Sequence, residues 1–442
     1  MPSIITKNFS TELAQDFTSL FDIGANDYLP QDKKSYIFAV LGKQTPWNAG
    51  VEVATTPTQS IPGFVQCWDN AIVAKRMSLN DISYVVPRRN WTSNTSYYTY
   101  DSGNANYYVL NSRDQIFKCL DNNSGASSTD EPQLFLSSTS LEEPYFQTSD
   151  RYKWKYMYTL NTAQKERFLT SDWMPVTYNK FVRAAALNRS IDIVKVTNTG
   201  NNYVNGSTQA IISINGDGTG AVLRANVSNG RVQNVIVQSR GLNYTKANVI
   251  FTDITGGNGS NAAATISLAP QNGHGYDPVE ELSANTIMLN VDFAGNESGD
   301  FPAENEFRQI SLVKNPYAFG TSTLASGQLY NVYTKINVSP GIGDFNNDEY
   351  VYQGDTIETA TFSAQVISFD ELTNNLFLNN ILGTFQPNVT IKGNLSGAIR
   401  VGVSKTDPEL QLYSGKTLMI INQQPLTRDP DQTDRIKFIL SF

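Results

Sequence analysis

Apolar and polar residues alternate at period two along much of the chain. Phe307–Pro316, FRQISLVKNP, sets Phe307, Gln309, Ser311 and Val313 on one side of an extended strand and Arg308, Ile310, Leu312 and Lys314 on the other. Pro316 lacks a backbone donor and ends the run. The closing RIKFILSF, Arg435–Phe442, places Ile436, Phe438, Leu440 and Phe442 on one face. Tyr36–Leu41, YIFAVL, is a continuous apolar run of strand length, the pattern of a central strand covered on both sides. Further strands are read at Tyr84–Trp91, interrupted by Pro87, at Gln115–Leu120 and at the aromatic Tyr152–Leu160, with a loop over 121–140. Helical spacing appears near the start, where Phe9, Leu13, Phe17, Leu20 and Phe21 share a face. Asn8 or Ser10 is the expected N-cap there, and Gly24 the stop. Thr162–Leu169 has room for one or two helical turns.

Two stretches rich in Gly, Asn and Thr interrupt this framework. Within 191–268, VKVTNTGNNYV (Val194–Val204) aligns with VIVQSRGLNYT (Val235–Thr245), so that Gly200, Asn202 and Tyr203 match Gly241, Asn243 and Tyr244, 41 residues on. GAVLRANV (Gly220–Val227) falls on NAAATISL (Asn261–Leu268) at the same offset. Each unit reads strand, Gly-x-Asn-Tyr turn, strand, Gly-rich turn, strand. Gly and Asn suit turns with positive φ, and the tyrosine is expected to close the turn against its own sheet. Two such units pair into one β module. Residues 317–412 read as a second module, a small barrel or sandwich, with strands at Glu349–Gln353, Thr361–Phe369, Asn375–Leu382 and Val389–Lys392. The division expected is therefore a framework over 1–188, 271–316 and 413–442, with β modules inserted at 189–270 and 317–412. The fold class is mainly β, an α+β framework with few helices.

Composition narrows the function. With 442 residues, 40% apolar and only 17% charged, the chain carries enough apolar material for several cores and is not a disordered polymer. The net charge of −8 comes without a cluster of Lys and Arg, which argues against nucleic acid as partner. The start has no signal-peptide pattern and no run is long enough to span a membrane, so no membrane insertion is expected. Cys67 and Cys119, each among apolar neighbours, read as buried thiols.

Chemistry is sparse. His274, the single histidine, sits between glycines in GHGYDP and reads as a structural hydrogen-bonding residue. Asp344-x-Asn346-x-Asp348 starts like a calcium loop, but Glu349 stands where an EF-hand needs glycine. The Gly-rich turns at Gly216–Gly220 and Gly256–Gly259 lack the Lys-Ser/Thr and helix of a phosphate loop. No catalytic residue, metal ligand or cofactor site is assigned. Arg88 and Arg89 can clamp a partner's carboxylates through paired hydrogen bonds or form internal salt bridges. With Trp91 and Arg308 they are the candidate interface residues.

Five framework segments carry a resemblance: VVPRRNW (Val85–Trp91), IFKCLDNN (Ile116–Asn123), YKWKYMYTL (Tyr152–Leu160), FRQISLVKNP (Phe307–Pro316) and SGKTLMIINQQPLTRDPDQTDRIKFILSF (Ser414–Phe442). In this order they resemble the baseplate wedge subunit of contractile-tailed, T-even-type bacteriophages, the gene-product-eight family. The N-terminal helix followed by YIFAVLGKQTPW fits as well. The resemblance covers the framework, and the chain's extra length falls mainly in the two modules. It implies a non-enzymatic structural protein with β-sandwich domains. Such a protein forms homodimers, contacts other wedge subunits, is assembled in the host cytoplasm and resides in the virion tail baseplate. The competing readings are a glycan- or receptor-binding tail protein that stacks sugars on exposed aromatics, and a polysaccharide hydrolase. The hydrolase would require two carboxylates about 5–10 Å apart in a cleft.

Overall fold

The computed structural model describes residues 4–25, 34–43, 45–47, 53–135, 141–206, 210–253, 257–294, 306–426 and 432–442. The expected loop at 121–140 and the turn at Gly256–Gly259 lie partly outside them. Strand accounts for 46% of the chain against 13% helix, which makes the protein mainly β. Two compact units are present: Met1–Ala14, Ser83–Met288 and Ile439–Phe442 form the first, Gln15–Ile82 and Leu289–Phe438 the second.

The opening helix is Lys7–Ala25, so Asn8, Ser10 and Gly24 all lie within it. The cap falls earlier than the sequence pattern predicts. Thr6 supplies it, because its Oγ1 accepts from Phe9 N–H at 3.3 Å and its carbonyl from Ser10 N–H at 3.3 Å.

In the second unit, an antiparallel sheet runs in the order Leu329–Asn331, Ala71–Arg76, Ile37–Gly42, Phe307–Lys314, Lys416–Leu426. Ile37–Gly42 is buried throughout, as its unbroken apolar run predicts. Phe307–Lys314 is buried except at Lys314, so its polar alternate residues also face inward. They are matched there: Cys67 Sγ–H donates to Ser311 Oγ at 2.9 Å, and Gln309 Nε2 donates to Asn422 Oδ1 at 2.9 Å. Burial pushes the Cys67 thiol up to about 11, with the Ser311 hydrogen bond opposing, so this cysteine is a packed neutral group. Cys67 and Cys119 are both free and buried.

The same unit holds a closed barrel of six strands, in the order Thr334–Val338, Asn375–Gly383, Phe362–Asp370, Tyr350–Gln353, Thr390–Gly393, Ile399–Thr406. Thr334–Val338 closes the ring by pairing with both Asn375–Gly383 and Ile399–Thr406. Ile336, Val351, Phe362, Val366 and Leu378 fill it. Of the two expected architectures, this stretch takes the barrel.

In the first unit, an aromatic sheet runs Tyr108–Leu110, Gln115–Asp121, Lys153–Thr159, Phe146–Gln147. Its two cores form around Ile116, Tyr158 and Met174, and around Phe117, Trp154 and Tyr156. The repeated stretch folds with strands exchanged between repeats. Ile191–Asn201 pairs with Ser260–Leu268, and Arg231–Leu242 pairs with Thr219–Ser228. The middle strands Ala210–Gly216 and Ala247–Asp253 pair with each other. The turns have the expected left-handed residues, with φ of 61° and 60° at Gly200 and Gly241 and of 60° and 64° at Asn202 and Asn243.

As expected, each tyrosine closes its turn within its own sheet, on the strand paired with the one that precedes it. Each reaches the other repeat: Tyr203 Oη accepts from Ala262 N–H at 3.3 Å and Tyr244 Oη from Ala221 N–H at 3.4 Å. Glycine is required beneath each ring, since a Cβ at Gly259 or Gly218 would stand 2.3 or 2.4 Å from the carbons of Tyr203 or Tyr244. The two tyrosines therefore lock the duplication together. Gly259→Ala and Gly218→Ala are each expected to destabilise the full chain by about 1–3 kcal/mol through overpacking. Tyr203→Phe and Tyr244→Phe should each cost about 0.5–1.5 kcal/mol through the lost hydrogen bond. Urea unfolding of the four variants checks this, and matched effects at the two positions test the symmetry.

Candidate functional site

Three of the four predicted interface residues lie together in the first unit. Arg88 follows the strand Ile82–Pro87 and is tied internally, with Nη1 donating to Thr170 O at 2.9 Å and Nε to Asn90 Oδ1 at 3.0 Å. The Arg89 guanidinium lies over the Tyr108 ring, 5.6 Å from its centroid. Trp91 Nε1 donates to Ser128 Oγ at 3.1 Å, and the indole packs against the aromatic core. Arg308 belongs to the second unit, where it is 3% exposed and pairs with Glu306. These contacts hold all four side chains within their own units.

The densest chemistry in the first unit is a buried cluster of charge. Lys118 projects from Gln115–Asp121 with its side chain 1% exposed, and its ammonium donates to Glu281 Oε2. Glu281 ends the short helix Pro278–Glu281, which Asp277 caps by accepting from Val279 and Glu280 N–H. Its other oxygen accepts from Gly275 N–H at 2.7 Å. Gly275 has φ of +85°, and a Cβ there would meet Val182 at 2.4 Å, so the GHGYDP turn needs this glycine. His274 is 1% exposed and stands edge-on to Tyr100, with ring centroids 4.6 Å apart. Its Nδ1 is 3.7 Å from Glu281 Oε2 and makes no hydrogen bond. The Lys118 ammonium also sits over the Tyr100 ring, 5.0 Å from the centroid.

A second pair joins the cluster from the repeat module. Arg240 grips Asp192 with Nε to Oδ1 at 2.7 Å and Nη2 to Oδ2 at 2.8 Å, while Ser190 Oγ donates to Asp192 Oδ1 at 2.6 Å. Lys155, 2% exposed, donates to Glu143 O at 2.8 Å. At the module's end, Tyr100 Oη donates to Leu268 O and Ser267 Oγ donates to Asp101 Oδ2 at 2.8 Å. Lys195 of the module's first strand reaches Asp121 of the aromatic sheet at 3.6 Å, Tyr100 and Asp101 hold the last strand, and Glu281 ties the 274–281 turn to Lys118.

The electrostatics follow from burial. Removal from water, with the Lys118 charge nearby, lowers His274 to about 4, so it is neutral at pH 7. Burial and the Arg240 charge bring Lys155 down to about 8. For Glu281, burial acts to raise the carboxyl, but Lys118 and His274 outweigh it and hold the group below its usual range. For Asp192, burial is likewise outweighed, chiefly by the Arg240 hydrogen bonds. Such a cluster fixes geometry strongly, because losing either member of a buried pair strands a charge.

Lys118 and Lys155 are charges inside apolar runs, a signal that sequence reading can find. Their partners lie far along the chain and give no such signal. Among the described residues no group of three His, Cys, Asp or Glu is arranged to hold a metal ion. At the calcium-like stretch, Arg400 Nη2 donates to Asp344 Oδ1 at 2.8 Å, and Glu349 accepts from Asn346, Leu395 and Ser396 N–H. Also among the described residues, no helix is long and apolar enough to cross a membrane. No protein-family model matches the chain, and no curated protein matches it.

Glu281→Ala alone is expected to cost about 3–5 kcal/mol, because Lys118 is left buried and unpaired. Lys118→Met combined with Glu281→Gln, which keeps an acceptor for Gly275 N–H, should recover most of that loss in urea denaturation. Stability should also depend on acidity. Between pH 6.5 and about 4 the unfolded chain protonates its histidine while the folded chain keeps His274 neutral. Stability therefore falls as pH drops through this window, by up to about 3 kcal/mol. Urea midpoints across the range check it, and His274→Gln should flatten the slope.

Proposed function

We propose that the chain is a structural, non-enzymatic subunit of a bacteriophage tail baseplate wedge. It acts through homodimerisation and contacts with neighbouring wedge subunits. The observation that carries this reading is the ordered series of five framework segments from Val85 to Phe442. The mainly β architecture is compatible with it. The burial of the Lys118, Glu281, His274 and Asp192 side chains also supports it, since these groups serve packing.

Glycan binding is the second reading, favoured by a polar hollow of 280 Å³ lined by Asn188, Arg189, Asn243, Gln271 and Asn272. A glycan array probed with the full chain separates the two. Light scattering at micromolar concentration should give a dimer that persists at high salt, because contacts made by apolar burial are little screened. A monomer would contradict the dimer. Disrupting the coding sequence in the phage should leave lysates without complete baseplates by electron microscopy, and normal infectious particles would overturn the assembly reading.

A further inference from the structure

In the second unit, the helix Ile61–Asp69 carries an apolar stripe at Ile61, Phe64, Val65 and Trp68, the spacing of a face that a helix normally buries. Only Trp68 is buried. Ile61 is 79% exposed, Phe64 39% and Val65 40%. The helix is well made despite this: Ser60 Oγ accepts from Gly63 N–H at 3.2 Å, and Pro62 stands in the first turn. Facing it is Lys416–Leu426, the last strand in its sheet. Between them lie two adjoining hollows of 420 and 440 Å³ that share Phe64 and Thr417. One continues to Tyr413 and Lys416, the other to Leu418 and Ile420, where Pro57, Thr58 and Gln59 join Phe64 in lining it.

The strand's edge identifies the occupant. Edge strands expose a row of backbone donors and acceptors, which proteins blunt by keeping them short or charged. Leu329–Asn331, Trp173–Pro175 and Tyr108–Leu110 are three-residue edges, while the two-stranded sheets of the repeat module have long ones such as Arg231–Leu242 and Ser260–Leu268. Thr433–Ser441 is a longer edge, but it carries Arg435 and Lys437. Lys416–Leu426 is 11 residues long, and its distal half is met by the chain itself. Trp47 Nε1 donates to Gln423 O at 2.7 Å, and Asn422 Nδ2 donates to Thr55 O at 2.9 Å. Over Lys416–Ile420, among the described residues, only Phe307–Lys314 pairs with it. A groove with a strand edge as one wall and an apolar helix face as the other is the geometry of strand addition. Lys416 is the one charged side chain among the residues lining the two hollows.

We infer that this groove receives an extended segment of a partner protein, which pairs with Lys416–Ile420 and turns alternate apolar side chains onto Ile61, Phe64 and Val65. Five residues of strand span about 17 Å, enough to cross both hollows. An acidic residue of the partner where it passes Lys416 completes the match. The inference rests on the second unit alone and holds whatever assembly the chain joins.

The test uses the full chain and a phage-displayed library of random dodecapeptides, counter-selected on the Val65→Asp variant. Val65 is exposed, and an unchanged melting curve verifies that the variant folds. Enriched peptides should alternate apolar residues at period two and bind Val65→Asp at least about tenfold more weakly. N-methylation of alternate edge-facing amides in the best peptide should abolish binding, and methylation of the intervening amides should not. Three results would overturn the inference: no enrichment over the counter-selection, peptides spaced for a helix, or indifference to N-methylation. A dimer of the chain that Val65→Asp dissociates would overturn it as well, by giving the groove to a second copy.

Discussion

A chain built mainly of strands must dispose of its sheet edges, and the architecture follows from how it does so. Every strand has two hydrogen-bonding sides, and an open side invites another chain. The barrel removes the problem by closing on itself through Thr334–Val338. The duplicated module exchanges strands between repeats in three two-stranded sheets, and Tyr203 and Tyr244 hold the exchange in place. The aromatic sheet ends in strands of two and three residues, Phe146–Gln147 and Tyr108–Leu110. Along Lys416–Ile420, among the described residues, only Phe307–Lys314 pairs with the edge strand.

Charge is handled by the same inward logic. The side chains of Lys118, Lys155, Asp192 and Glu281 are taken out of water around the junction of the repeat module and the aromatic sheet. Buried ion pairs add little net stability compared with apolar packing, but they penalise misplacement heavily. Here they fix two junctions: Asp192 must meet Arg240 inside the module, and the 274–281 turn must bring Glu281 to Lys118 of the aromatic sheet. The neutral His274 makes this seating sensitive to acid.

Much of the fold was legible in the sequence because its signals are local. The apolar run at Tyr36–Leu41 marks a strand covered on both faces, and the Gly-x-Asn-Tyr offset marks the duplication. What failed to show was long-range. Similar repeats look the same whether strands pair within a unit or across units, so the closing of Tyr203 and Tyr244 on their own sheets was legible while the exchange of strands was not. Lys118 interrupts the apolar run QIFKCL, but Glu281, 163 residues away, carries no mark as its partner. The helix Ile61–Asp69 was signalled by Ser60 and Pro62, yet its apolar residues resemble the strands around it in composition. For Arg88 and Arg89 the sequence left a partner's carboxylates and internal contacts both open, and in the structure their contacts go to Thr170, Asn90 and Tyr108.

The central claim is that this chain is a paired structural subunit whose contacts are broad surfaces and added strands. A density map of the intact phage tail, resolved well enough to trace side chains, tests it most directly. The account predicts this chain in pairs around the baseplate, with a neighbour's extended segment beside Lys416–Ile420. A fully traced baseplate without it would contradict the account.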